Sequence, residues 1–300
     1  MAGSQDFEAD PRNETVLVWL NGALVPRAEA RVSLFDAGFG MGDGVWEGLR
    51  LHKGRLLFLE RHLDRLFEGA KAIRLDIGKS RAEIEAALAE TLAANAMTDG
   101  VHVRLMVTRG VKSTVSQDPR NALGVPTIAI TAEHKRPANA DAGLALATVS
   151  VRCTPAAMFD MRLNSHSRLN LITALLEAIE AGADEALMLD PAGCVSSCNA
   201  TNFFFVKNGE IRTSTGEYCF NGVTRAQVIE LARTNGLPLR LGAFPPEAAR
   251  GADEAFVTGT MAGITAVKAI DGATLPASPG LVTRQVRALY DRLKDEDAAR

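Results

Sequence analysis

Apolar residues recur at every second position over residues 101–108, VHVRLMVT. Val101, Val103, Leu105 and Val107 share one face, and His102, Arg104 and Met106 share the other. A period of two predicts a strand buried on one side. Residues 125–131 and 144–151 are two further β-rich runs, and Trp19-Leu20 predicts a strand entering an Asn21-Gly22 turn. The period changes at 59–75, where Leu59, Leu63, Leu66, Phe67 and Ala70 mark one helix face, and again at 81–95, with Ile84, Ala87, Leu88 and Leu92. Ser80 and Glu83 form a capping-box pattern before this second helix. Residues 31–44 hold four glycines and predict a shaped loop.

The second half mixes the two periods. Helices are predicted at 168–181, 224–235 and 281–294, and strands at 185–190, 239–242 and 254–258. Residues 202–207 and 210–213 predict a hairpin around Asn208-Gly209. Such a mixture is an α+β pattern, and 300 residues suit two domains of about 150 each. The expected division is a loose tail at 1–16, an N-terminal domain at 17–134, a linker at 135–143 and a C-terminal domain at 144–300.

Composition narrows the function. A net charge of −3 without a basic run argues against a nucleic-acid partner. No apolar stretch approaches the roughly 18 residues of a membrane helix, and the polar N-terminus lacks the pattern of a signal peptide. Cytoplasmic location with reduced thiols is therefore expected for the four cysteines. Cys194 and Cys198 are four apart with no histidine near, so no metal site is expected.

The sharpest local signal is Asn221-Gly222-Val223-Thr224-Arg225-Ala226-Gln227. Thr224 and Gln227 predict a capping box, with the helix beginning at Thr224. A glycine ahead of a helix N-terminus suits an anion, although an ordinary capped helix gives the same pattern. Thr258-Gly259-Thr260-Met261-Ala262-Gly263 suits a phosphate or a plain turn. Arg104 could meet a substrate carboxylate or a surface acid. Lys268 reads as a surface lysine, and His62 as an exposed or satisfied helix residue.

Six ordered blocks together resemble the class IV (fold type IV) aminotransferases, which include branched-chain and D-amino acid aminotransferases and aminodeoxychorismate lyase. The blocks are 36–50 (DAGFGMGDGVWEGLR), 59–66 (LERHLDRL), 107–110 (VTRG), 182–187 (GADEAL), 221–225 (NGVTR) and 258–265 (TGTMAGIT). The resemblance covers about 17–272. It implies a small N-terminal α/β domain, a larger, barrel-like C-terminal α/β domain and a homodimer. It also implies a pyridoxal 5′-phosphate site between the domains, acting on amino acid and 2-keto acid pairs. On that basis Arg50, the backbone of Val223 and Thr224, and Thr260 hold the phosphate.

Two positions depart from the family pattern. The Schiff-base lysine position falls on Asn164, and no lysine lies between Lys135 and Lys207. Ser197 stands where the family has a glutamate for the pyridine nitrogen. Asparagine forms no Schiff base and moves no proton at neutral pH. Pyridoxal phosphate would then be held non-covalently at best. His166, two residues on, is a candidate surrogate base, or is structural. Three readings follow: an aminotransferase-like enzyme with altered chemistry; a lyase, isomerase or hydrolase using the pocket for another phosphate- or carboxylate-bearing small molecule; or a non-catalytic binding protein.

Overall fold

The computed structural model of the chain describes residues 8–135 and 142–300. They fall into two units. One comprises 9–135 with 164–168 and 297–300; the other comprises 142–163 and 169–296. The short segment 164–168 therefore belongs with the N-terminal unit, although it lies beyond residue 144 in the chain. Residues 1–7 of the expected tail and 136–141 of the expected linker lie outside the described residues. The rest of the tail is not loose. Pro11–Thr15 forms a 3-10 helix capped by Asp10. The buried Asn13 side chain ties it down, donating to His134 O at 2.9 Å and accepting from His134 N at 2.7 Å.

The N-terminal unit is built on a six-stranded antiparallel sheet. Its elements are β1 (Leu17–Leu20), β2 (Ala23–Pro26), α1 (Ala37–Met41), β3 (Gly44–His52), β4 (Arg55–Leu56), α2 (Leu59–Ala72), α3 (Arg81–Ala94), β5 (Val101–Thr108) and β6 (Thr127–His134). The strand order is β2-β1-β6-β5-β3-β4. Asn21 and Gly22 both have positive φ, as the tight turn between β1 and β2 requires. The capping box at Ser80 and Glu83 forms as expected. Val101, Val103, Leu105 and Val107 on β5 are wholly buried against Leu63, Leu66, Ile84 and Leu88. The glycine-rich run 31–44 is not all loop. Asp36 accepts from Gly38 N and starts α1 within it.

The C-terminal unit comprises β7 (Leu144–Arg152), α4 (Leu169–Glu180), β8 (Glu185–Leu189), β9 (Val195–Cys198), β10 (Asn202–Lys207), β11 (Glu210–Thr213), α5 (Val223–Thr234), β12 (Leu239–Leu241), α6 (Pro246–Arg250), β13 (Glu254–Gly259), β14 (Gly263–Ile270), β15 (Ala273–Thr274) and α7 (Leu281–Ala298). Its nine-stranded mixed sheet runs β12-β11-β10-β13-β14-β7-β8-β9, with β15 beside β14. End strand β9 turns directly into β10 near the other end, closed by a Cys198 N to Thr201 O bond of 2.9 Å. The sheet therefore curls on itself. Phe204 stacks on Phe256 at 5.0 Å and Phe205 meets Phe244 edge-on at 5.2 Å in its core.

Candidate active site

In the C-terminal unit, α5 begins one residue earlier than the sequence pattern suggests. Its N-cap is Gly222, in extended conformation, and no side chain caps it. The Thr224–Gln227 capping box does not form, because both residues are already inside the helix and buried. Thr224 Oγ1 lies 3.5 Å from the Tyr290 hydroxyl instead. A Cβ on Gly222 would collide with Asn202 Oδ1, so only glycine lets the chain pass here. Asn202 Nδ2 fixes that approach by donating to Phe220 O at 2.9 Å. Opposite Asn202 in the sheet stands Thr258. Its hydroxyl is buried and has no hydrogen-bond partner among the described residues. The half-buried Thr260 lies in the tight turn joining β13 to β14. A helix N-terminus without a side-chain cap, beside an unsatisfied buried hydroxyl, is a cradle for an anion.

Ser197, on β9, does not face that cradle with a free hydroxyl. Its Oγ donates to Thr201 O at 2.8 Å and accepts from Asn202 Nδ2 at 3.4 Å. The neighbouring Cys198 thiol is buried, and burial followed by the Glu185 charge pushes its pKa well up, which makes it unreactive. Lys268 is exposed on β14, as expected.

In the N-terminal unit, segment 164–168 docks along the start of β3. Ser165 bridges Val45; Trp46 N donates to Asn164 O at 2.9 Å, and His166 N to Gly44 O at 3.0 Å. Asn164 is buried, and its Oδ1 accepts from Arg168. Trp46 Nε1 donates to Ser165 O at 3.1 Å. The Trp46 ring takes two guanidinium groups, with Arg104 Cζ at 3.9 Å from its centroid and Arg168 Cζ at 5.1 Å. His166 Nε2 is buried without a hydrogen-bond partner among the described residues. Burial, then Arg104 and Arg168, lower its pKa to about 4. The same logic lowers His102 to about 3, through burial and then Lys135, Arg104 and Arg50. Both imidazoles are therefore neutral at pH 7.

Arg50 is half-buried on the same sheet face, and its Nη1 donates to Lys135 O at 2.7 Å. Arg65, not singled out from the sequence, is a buried cation bonded through Nε and Nη2 to Glu47 at 2.7 and 2.6 Å. Satisfied His62 completes this group, its Nδ1 2.7 Å from Glu47 Oε2. The sequence carried no usable signal for Arg65, because Glu47 takes an inward position only once β3 forms.

An anion fits the cradle at α5. Covalent attachment of a pyridoxal ring at position 164 does not fit, because that side chain is an amide already engaged by Arg168. No carboxylate stands at position 197 to keep a ring nitrogen protonated.

Residues 44–270 match the model of the class IV amino-transferase family, and the chain belongs to that family. Its fold is that of the fold type IV aminotransferases. Over 95% of its length the chain is 39% identical to branched-chain-amino-acid aminotransferase-like protein 2 of Arabidopsis thaliana, of which it covers 51%. It thus spans about half the length of that relative. Over 93% of its length it is 36% identical to a putative branched-chain-amino-acid aminotransferase of Methanocaldococcus jannaschii, covering 94% of that protein. The branched-chain amino acid aminotransferase of Thermobaculum terrenum, solved in its PLP-form, superposes with a TM-score of 0.81 at 26% identity, covering 96% of this chain and 95% of that one.

Proposed function

We propose that the protein is an aminotransferase-type protein for small amino acid and 2-keto acid pairs that holds pyridoxal 5′-phosphate without a covalent bond. The observation that carries this reading is the uncapped N-terminus of α5 beside the buried Thr258 hydroxyl. Backbone N–H groups of Val223 and Thr224, with the Thr260 hydroxyl, are the phosphate donors. Arg50 is less suited to that task, since its guanidinium is partly spent on the Lys135 carbonyl. When bound, the cofactor supplies an electron sink for a carbanion next to nitrogen. Arg104 receives a substrate carboxylate, as a charge-assisted pair. His166 accepts a proton at Nε2, but a base held near pKa 4 is weak at neutral pH, so turnover is slow. Homodimeric assembly and cytoplasmic location belong to the same proposal.

The commitments of Asn164 to Arg168 and of Ser197 to Thr201 favour a second reading. In it, the cradle serves another phosphate- or carboxylate-bearing small molecule in pyridoxal-independent chemistry. A titration of purified protein with pyridoxal phosphate, read by absorbance before and after desalting, separates the two. Saturable binding that desalting removes supports the first reading. Absence of saturable binding transfers the cradle to the second. Cofactor that stays attached through denaturation contradicts the non-covalent account.

A further inference from the structure

The anion cradle of the C-terminal unit draws on two segments that are distant in the chain. One is the start of α5, with Val223 and Thr224; the other is the turn from β13 to β14, with Thr260. Gly259 pairs with Gly263 across that turn, so Gly263 fixes where Thr260 stands. Thr258 shares a face of the sheet with its cross-strand neighbour Asn202, whose side chain abuts Gly222. The buried Thr258 hydroxyl, without a hydrogen-bond partner among the described residues, is thereby aimed at the start of α5.

A third element touches both segments. α7 begins at Leu281, beyond residue 270, where the match to the family ends. Its buried Tyr290 lays its ring against Gly263: a Cβ there would lie 3.1 Å from Tyr290 Cε1 and 3.5 Å from Cδ1. The hydroxyl of the same side chain reaches on to Thr224, 3.5 Å from Oγ1. A phenylalanine ring would fill the space beside Gly263 equally well; tyrosine adds the hydroxyl at Thr224.

The register of Tyr290 is set from the far end of β13. Glu254, the first residue of that strand, is buried and accepts from Val282 N at 3.1 Å, Thr283 N at 2.8 Å and Thr283 Oγ1 at 2.7 Å. Its carboxylate thus caps α7 at the positive end of the helix. A Cβ on Gly280 would collide with the Glu254 side chain, so glycine alone allows that approach. Thr283, Val286 and Tyr290 follow at three- and four-residue spacing, all buried on one face. From Thr283 to Tyr290 the helix advances about 10 Å, which carries it from the cap to the cradle.

We propose that Tyr290 is a positioning residue for the phosphate: it braces the start of α5 against the β13–β14 turn, so that donors from two distant segments meet one anion. This inference rests on the reading of the cradle as a phosphate site, and it gives α7 a part in that site.

Inorganic phosphate is the probe, titrated by calorimetry into the full-length protein. Tyr290→Phe keeps the ring and is expected to weaken phosphate about threefold, the size of one weak hydroxyl contact, while the urea midpoint of the phosphate-free protein shifts little. Tyr290→Leu removes the ring brace as well and is expected to weaken phosphate about tenfold. A double-mutant cycle separates positioning from general support of the fold. In a Thr224→Val background, Tyr290→Phe is expected to cost no further affinity, because the hydroxyl has lost its partner. If Tyr290→Leu fails to fold, Tyr290→Phe and the cycle still decide. Phosphate affinity in Tyr290→Phe equal to that of the unaltered protein, or the same loss in the Thr224→Val background, overturns the inference and leaves the cradle in place. Absence of phosphate binding by the unaltered protein overturns the cradle and this inference together. Phosphate binding that depends on Tyr290, without pyridoxal phosphate binding, removes the proposed function and leaves this inference standing.

Discussion

On the inner side of β3, Glu47 is fully buried, and both of its carboxylate oxygens are bonded to Arg65, with His62 completing the group. Burial works to raise the Glu47 pKa, but Arg65 and His62 overcome it and hold the group ionised. On the outer side, the Trp46 ring carries Arg104 and Arg168. One strand thus presents a closed ion group to the core and crowded cations outward. The first arrangement positions α2 on the sheet. The second sets Arg104, the residue the proposed function assigns to a substrate carboxylate, against the Trp46 ring.

Breaking the closed group gives the largest expected effect. Glu47→Gln removes the carboxylate that holds buried Arg65 and should lower unfolding stability by about 3–5 kcal/mol, read by urea denaturation. A loss below about 1 kcal/mol would place the group outside the structural core.

In the other unit, Gly222→Ala forces the chain away from Asn202 and should weaken inorganic phosphate or pyridoxal phosphate by about tenfold or more, measured by calorimetry. Thr258→Val is a smaller perturbation. It removes a buried hydroxyl without a partner, so stability should hold or rise by about 1 kcal/mol while phosphate affinity falls a few-fold. A clear stability loss there would show that the hydroxyl serves the fold. A further test is the pH dependence of stability. The folded chain holds His166 below its ordinary value of 6.5, near 4, so the unfolded chain binds the extra proton between those values. Stability should be full above pH 6.5 and fall toward pH 4, and His166→Asn should flatten that slope by about one proton.

Local patterns were legible where one force dominates. The alternation of 101–108 and the Ser80–Glu83 box each report a single local requirement, and both appear as expected. β3 was not legible as a strand. It is buried along nearly its whole length and interrupts its apolar run with Glu47, Gly48 and Arg50. The start of α5 misled because Thr-x-x-Gln mimics a cap, while the deciding contact lies between Gly222 and Asn202, twenty positions apart. Sequence could point to Asn164 and His166 as unusual. It could not show that 164–168 joins the N-terminal unit, since that depends on a bridge to Val45. The partnership of Arg168 with Arg104 on one indole is equally non-local.

On the proposed reading, Arg104 on the outer face of the N-terminal sheet receives a carboxylate beside His166 and His102. Imidazole NMR titration of His166 and His102, in the free protein and with glutarate added, reports that charge directly. The account predicts that both rings stay neutral down to about pH 5 in the free protein, given values near 4 and 3, and that glutarate moves His166 upward. Titration of either ring near 6.5 in the free protein, or a His166 curve that glutarate leaves unmoved, would contradict it.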